Sequence, residues 1–183
     1  MIKQVFDALN DELSKVDCYL SIVCVGGFVL QLHELKATLD VDAFYEDSET
    51  IRSLVWNVGE RFHLNQNNEA WLNCRVANLN ARPPESECSI LYDYSNLRVM
   101  TASLIYVLGM KLSSARDQDV IDMIRIIKHL KLDDPISTYK HLCSLNLHNL
   151  DFSILLEAFN EAYGDEWMQN YFVECQEELL RYD

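Results

Sequence analysis

Two short groups of residues in this sequence have types and spacing suited to joint chemistry: the glycine pair Gly26-Gly27 and the carboxylates Asp40 and Asp42, with twelve residues between Gly27 and Asp40. Acids at i and i+2 of an extended segment face one side, with backbones about 6.6 Å apart, so their carboxylates can converge on one divalent cation. Magnesium takes a few carboxylates and keeps positions for water and phosphate oxygens. Consecutive glycines let a backbone approach phosphates, and a helix that follows them presents free N–H groups and a positive dipole end. Both halves therefore suit a magnesium-bound nucleoside triphosphate. Each half also has a plainer reading: two acids beside Leu39 and Val41 fit a solvated strand face, and a glycine pair alone fits an ordinary strand-to-helix turn.

The elements that must position these residues follow from apolar periodicity. Ile2, Val5, Phe6, Leu9, Leu13 and Val16 recur at helical spacing and predict a first helix with one buried face. Tyr19 to Val25 is a β-rich apolar run ended by the glycines, which predicts a fully buried strand feeding a tight turn. A helix over about 28–35 and a strand over 39–45 follow, with Leu39, Val41 and Ala43 on one side and Asp40, Asp42 and Phe44 on the other. Ile51, Leu54, Val55, Val58 and Phe62 predict a third helix behind the capping-prone Glu46-Asp47-Ser48. Asn65 to Pro84 reads as a polar connection with one apolar nick at Trp71-Leu72. Two short strands near 89–92 and 97–101 then flank Asp93-Tyr94-Ser95-Asn96, a hairpin turn by residue type.

After Ser103 the period is helical throughout, with helices expected near 104–115, 117–132, 136–145, 152–163 and 166–182. The change of period predicts a core over 1–102 and a helical region over 103–183 packed on it. No repeat or Gly/Ser linker interrupts the chain.

Composition narrows the function classes. The 183 residues hold 29 acidic against 15 basic side chains, a net charge of -14, which disfavours general DNA or other nucleic-acid binding. The six cysteines form no C-x-x-C and the five histidines no ligand-spaced cluster, so neither a disulfide framework nor a zinc site is expected. The start, Met1-Ile2-Lys3-Gln4-Val5-Phe6-Asp7, lacks the order of a signal peptide, and the most apolar stretch, 18–32, is too short to cross a bilayer. The expectation is a soluble cytoplasmic protein with no membrane partner.

Val25-Gly26-Gly27-Phe28, the spacer, and Thr38-Leu39-Asp40-Val41-Asp42 together resemble the nucleotidyltransferase superfamily pattern of a hydrophobic residue, Gly-Gly or Gly-Ser, a spacer and Asp-x-Asp. In many bacterial members, including the nucleotidyltransferase toxins of type IV toxin-antitoxin systems, the second strand opens as Arg-x-Ser/Thr-x-Asp-x-Asp. Here it reads Lys36-Ala37-Thr38-Leu39-Asp40-Val41-Asp42, with lysine keeping the charge but not the bidentate geometry of arginine. The later segment Met110-Lys111-Leu112-Ser113-Ser114-Ala115-Arg116-Asp117-Gln118-Asp119-Val120-Ile121-Asp122 is similar to a Lys-Leu-x-Ala-x-Arg-x-x-Asp-x-x-Asp helix of the same toxin-like relatives.

The resemblance implies an α+β fold, a nucleotidyltransferase-like mixed sheet flanked by helices with a C-terminal helical region. It also implies transfer of a nucleoside monophosphate from a nucleoside triphosphate to an RNA or protein acceptor, with Mg2+ as cofactor and an antitoxin protein as partner. Asp40 and Asp42 would hold the metal. Gly26, Gly27, Lys36, Thr38 and Lys111 would contact the nucleotide, Lys111 from within the catalytic set, and Arg116, Asp119 and Asp122 would help to assemble the site.

Relatives usually carry a third carboxylate on a later strand, whereas Leu97-Arg98-Val99-Met100-Thr101 has none and Trp71-Leu72-Asn73-Cys74 stands where relatives often read Trp-Leu-Asn-Asp. Asp93 is the nearest candidate for a third metal ligand, and equally suits a turn aspartate bonded to its own backbone. Lys111 also fits an exposed helix face, and Arg116 with Asp117, Asp119 and Asp122 a structural ion-pair and capping cluster. Arg125, Lys128 and Lys131 read as a solvated helix face, and Trp167, Tyr171 and Phe172 as packing residues rather than a base-stacking platform. The missing acid keeps a second function open, a catalytically silent module of the same fold that works through protein contacts.

Overall fold

The computed structural model describes residues 2–75 and 81–175. The chain forms two compact units, one ending at Ser103 and one beginning at Leu104. Among the described residues there are eight α-helices and five strands, and the fold is mixed α+β of the nucleotidyltransferase-like kind.

The first unit is a five-stranded sheet in the order β3-β2-β1-β5-β4 with helices. Its elements are α1 (Ile2–Lys15), β1 (Leu20–Cys24), α2 (Gly26–Leu32), β2 (Val41–Phe44), α3 (Glu49–Arg61), β3 (Leu72–Asn73), β4 (Cys88–Asp93) and β5 (Leu97–Ala102). Helix α1 turns Val5, Phe6, Leu9 and Leu13 inward, as its period predicts, and Ser48 caps α3 by accepting from the Ile51 N–H at 3.2 Å. Strand β1 is central, antiparallel to β2 and parallel to β5. Leu20, Ile22 and Cys24 on one face join Val41, Ala43, Leu97 and Val99 in a core that also takes in α1 and α3. Val23, one step out of phase, is buried on the opposite face, the face that also carries Asp42.

The structure differs from the sequence reading in three places. Helix α2 begins at the glycine pair itself rather than at Phe28. Strand β2 begins at Val41, so Asp40 lies just outside it: Thr38 Oγ1 accepts the Asp40 N–H at 3.2 Å, and this local bond replaces a ladder bond. Within the expected polar connection lies β3, parallel to β2 with Val41 opposite Leu72 and Asp42 opposite Asn73. A two-residue strand has no alternation to read, and β3 is held by packing. Trp71 is fully buried, donates its indole N–H to the Val55 carbonyl at 3.0 Å, and meets Phe6 edge-on at 5.4 Å. Gly59 is needed for this, since a Cβ there would lie 1.9 Å from Asn65 Oδ1 and 2.7 Å from Trp71 Cδ1. Asn65 in turn accepts from the Trp71 backbone N–H and donates to the Trp56 carbonyl.

The hairpin forms as expected, with the Tyr94 N–H bonded to the Leu97 carbonyl at 2.9 Å. The second unit is helical: α4 (Leu104–Ser114), α5 (Asp117–Leu130), α6 (Pro135–Ser144), α7 (Phe152–Tyr163) and α8 (Asp165–Glu174). Asp134 caps α6, with Pro135 in its first turn, Asp151 caps α7, and Gly164, at φ +91°, separates α7 from α8. The part of the expected last helix beyond Cys175 lies outside the described residues. Trp167 stacks between Phe159 and Tyr171 at 6.1 and 5.5 Å, and the Tyr171 hydroxyl donates to Asp134, so this ladder ties α7 and α8 to the start of α6. Among the described residues no helix is long and apolar enough to cross a membrane.

Candidate functional site

One end of the sheet collects most of the residues expected to act together. The ladder of β1 and β2 continues past Cys24, where the Val25 N–H donates to the Asp42 carbonyl at 2.8 Å, and the glycines follow at once. Gly26 adopts φ +60°, and a Cβ on it would come within 3.3 Å of Asp42 Oδ2. Any side chain here would combine a left-handed backbone with a crowded carboxylate, so glycine is what lets the turn lie against Asp42. Gly27 packs on Thr38, its virtual Cβ 3.5 Å from Cγ2 and 3.7 Å from Oγ1. Thr38 is fixed from both sides, its N–H donating to Gln31 Oε1 of α2 at 3.1 Å and its hydroxyl engaging the Asp40 backbone. Gly26, Gly27, Thr38, Asp40 and Asp42 are thereby one assembly, with Asp42 half-buried and Asp40 exposed. Lys36, half-buried, lies two residues before Thr38 on the same connection.

Among the described residues no side-chain hydrogen bond or salt bridge ends on the carboxylate of Asp40 or Asp42, although both are placed by backbone bonds. Asp42, beside the bare glycine turn, and Asp40, two residues before it, with no side-chain partner among the described residues, are a donor set that suits a hard divalent cation. Among the described residues, no three His, Cys, Asp or Glu side chains converge as a metal cage, so the site offers two carboxylates rather than three.

The position opposite Asp42 on β3 is filled by Asn73, a neutral amide, which accepts from the Arg75 N–H at 3.2 Å. Cys74, where relatives often carry an acid, is half-buried beside the Tyr45 phenol, which burial first and then Cys74 push above its ordinary range. Asp93 is at neither place. It pairs with Arg98, which registers with Ser21 near the start of β1, whereas Asp42 lies beyond the end of that strand. Both Asp93 oxygens accept from Arg98, at 3.1 and 2.9 Å, and this bond holds its pKa below the ordinary carboxylate value.

Sequence reasoning passed over Arg75. Its guanidinium pairs with Glu69 at 2.8 Å, and its pKa is raised by Glu69 first and, more weakly, by Asp42 and Asp40. The signal that could have found it was the short Trp71-Leu72-Asn73 segment, which pairs with β2 and sets Asn73 opposite Asp42, two residues before Arg75.

In the second unit, Lys111 lies within a closed charge network. Its Nζ is 2.6 Å from Asp119 Oδ1 and 3.0 Å from Asp122 Oδ2, and both aspartates are buried. The other Asp119 oxygen accepts from Ser114 at 2.7 Å and Arg116 at 2.8 Å, and Arg125 reaches Asp122 at 3.2 Å. Burial alone would raise the Asp119 pKa, but the bonds from Lys111, Ser114 and Arg116 outweigh it and lower the value to about 2.

Compared with known proteins, residues 1–140 match a family described as "Nucleotidyltransferase of unknown function (DUF6036)". No curated protein and no solved structure matches the chain. The matched span contains the glycine turn, both carboxylates, β3 and the Lys111 network. The chain belongs to this nucleotidyltransferase family.

Proposed function

We propose that the protein transfers a nucleoside monophosphate from a nucleoside triphosphate to a macromolecular acceptor, RNA or protein, and that Asp40 and Asp42 hold the magnesium ion this needs. The observation that carries the reading is a pair of carboxylates with no side-chain partner among the described residues, Asp42 lying against the Gly26 turn and Asp40 tied to it through Thr38 and Gly27. Magnesium bound there would align the α-phosphate and neutralise the pyrophosphate that leaves. The chain's own part is to fix the backbone at Asp40 and Asp42 through the Thr38 and Val25 bonds, and to keep side-chain bulk off the turn at Gly26. Lys36 and Thr38, on the connection that leads to Asp40, are the further nucleotide contacts in this reading. The likeness to type IV toxins extends the proposal to a toxin held in check by an antitoxin protein.

The test is transfer of label from each α-phosphate-labelled nucleoside triphosphate, with magnesium and a cell extract as acceptor pool. Label is expected on a macromolecule with the parent protein and not with Asp40→Ala plus Asp42→Ala, and nuclease or protease sensitivity of the product then tells RNA from protein. Equal labelling by both proteins would sink the proposal.

A second reading is favoured by one observation, the half-buried thiol of Cys74 where relatives often carry an acid. In that reading the fold is a catalytically silent module that acts through protein contacts. Ligands that bind only the folded state raise the unfolding midpoint by mass action. No change in midpoint with magnesium and any of the four triphosphates would support the silent module.

A further inference from the structure

Asp42 has a neighbour on each side. Toward β1 lies the Gly26 turn, and toward β3 lies Asn73, its partner in the parallel ladder. Paired residues of adjacent strands point to one face with their backbones about 4.8 Å apart, so the Asn73 amide and the Asp42 carboxylate stand side by side. The residues next to Asn73 turn the other way. Leu72 belongs to the core, as do Val41 and Ala43 of β2, and Cys74 lies beside Tyr45, which packs on that core. Asn73 is thus the residue of this segment that shares the Asp42 face.

One bond fixes which end of the amide is available. The Arg75 backbone N–H donates to Asn73 Oδ1 at 3.2 Å, and a donor of that kind can meet only the carbonyl end. The NH2 end is left over, and among the described residues it donates to nothing, while no side chain bonds the Asp42 carboxylate. A donor and an acceptor are therefore adjacent, both half-buried, and not bonded to each other. A metal ion on Asp42 that carries a phosphate oxygen satisfies both, because the carboxylate takes the cation and the amide donates to the oxygen.

From this register we infer that Asn73 is a nucleotide-binding residue of the Asp40–Asp42 site, its NH2 group donating to a phosphate oxygen of the magnesium-bound triphosphate. The inference rests on the transferase reading above and deepens it. An uncharged donor suits the place. Lysine or arginine there would pair with Asp42 and compete with the metal, and a carboxylate would repel the phosphates.

Two variants separate the donor from the fold. Asn73→Asp keeps the size and the bond to the Arg75 N–H but puts an oxygen where the NH2 was, and Asn73→Ala removes the amide without adding charge. Mn2+ is titrated into each free protein, and the triphosphate that most raises the parent's melting midpoint is then titrated at saturating magnesium. Asn73→Ala is expected to weaken triphosphate binding about tenfold or more, the range for a hydrogen bond to a charged group, with Mn2+ affinity within about twofold of the parent. Asn73→Asp should weaken triphosphate binding at least as much and tighten Mn2+ by about twofold or more, since another carboxylate then stands beside Asp42. An asparagine that only closed its own turn would let Asn73→Asp bind both ligands as the parent does. Triphosphate affinity of either variant within about twofold of a binding parent overturns the inference alone. So does a parallel loss of Mn2+ and triphosphate in Asn73→Ala, or Mn2+ affinity of Asn73→Asp no higher than the parent's. A parent that binds none of the four triphosphates overturns the transferase reading, and this inference with it.

Discussion

The molecule holds two pairs of aspartates that look alike in the sequence and are used in opposite ways. Asp40 and Asp42 stand at a strand edge, fixed through their backbones, and among the described residues no side chain bonds their carboxylates. Asp119 and Asp122 are buried on α5, and Lys111, Ser114, Arg116 and Arg125 share out their oxygens. A buried carboxylate without partners would be expelled or protonated, so the second pair has to be saturated by the chain itself. An accessible pair can leave its oxygens free for a ligand. The contrast is between a pair whose oxygens are bonded by side chains of their own unit, Lys111 among them, and a pair whose oxygens no described side chain bonds.

The largest effect that separates them should come from Lys111. Lys111→Met removes the cation shared by two buried carboxylates and leaves each with weaker compensation. Breaking a buried pair from one side costs about 3 kcal/mol or more, and urea unfolding should show a loss of that order. A change under about 0.5 kcal/mol would mean that the network is ornamental and would break the comparison.

Acid should sharpen it next. The Asp119 pKa is lowered from its ordinary 3.8 to about 2, because its bonds to Lys111, Ser114 and Arg116 outweigh the opposing effect of burial. A carboxylate whose pKa is depressed in the folded state stabilises fully above the unfolded value, and that stabilisation is lost as pH falls through the folded value. Stability should therefore drop by about 2 kcal/mol between pH about 4 and about 2 on account of this group. Asp119→Asn should be less stable at neutral pH and lack that part of the acid limb.

Much of this was legible in the sequence because it rests on local or periodic signals. Apolar spacing located α1, β1 and α3, and the turn chemistry of Asp93 to Asn96 located the β4–β5 hairpin. The glycine pair and the Asp-x-Asp spacing named the residues that the structure brings into one assembly. What stayed hidden depends on contacts distant along the chain. Strand β3 has two residues, too few for a period, and exists because Trp71 fits between α3 and Phe6 and because Gly59 lets Asn65 approach. Arg75 was invisible for the same reason, since it follows a strand that only the β2–β3 pairing reveals. Asp40 shows the converse: alternation extends the strand through it, while a hydroxyl two residues earlier takes its N–H and ends the ladder at Val41.

The smallest expected effect is the most discriminating, because it asks whether Asp40 and Asp42 matter to folding at all. Neither carboxylate compensates a buried cation, and an amide is nearly the same size as a carboxylate. Asp40→Asn with Asp42→Asn should leave the unfolding free energy in metal-free buffer within about 0.5 kcal/mol of the parent, as for ordinary exposed positions. Relief of repulsion between neighbouring like charges would make any shift a gain. The same double variant should lose the rise in unfolding midpoint that magnesium gives the parent. A loss of stability comparable to that of Lys111→Met would show that this pair too serves the fold, and the distinction between the two aspartate pairs would then fail at the end where it was expected to hold most firmly.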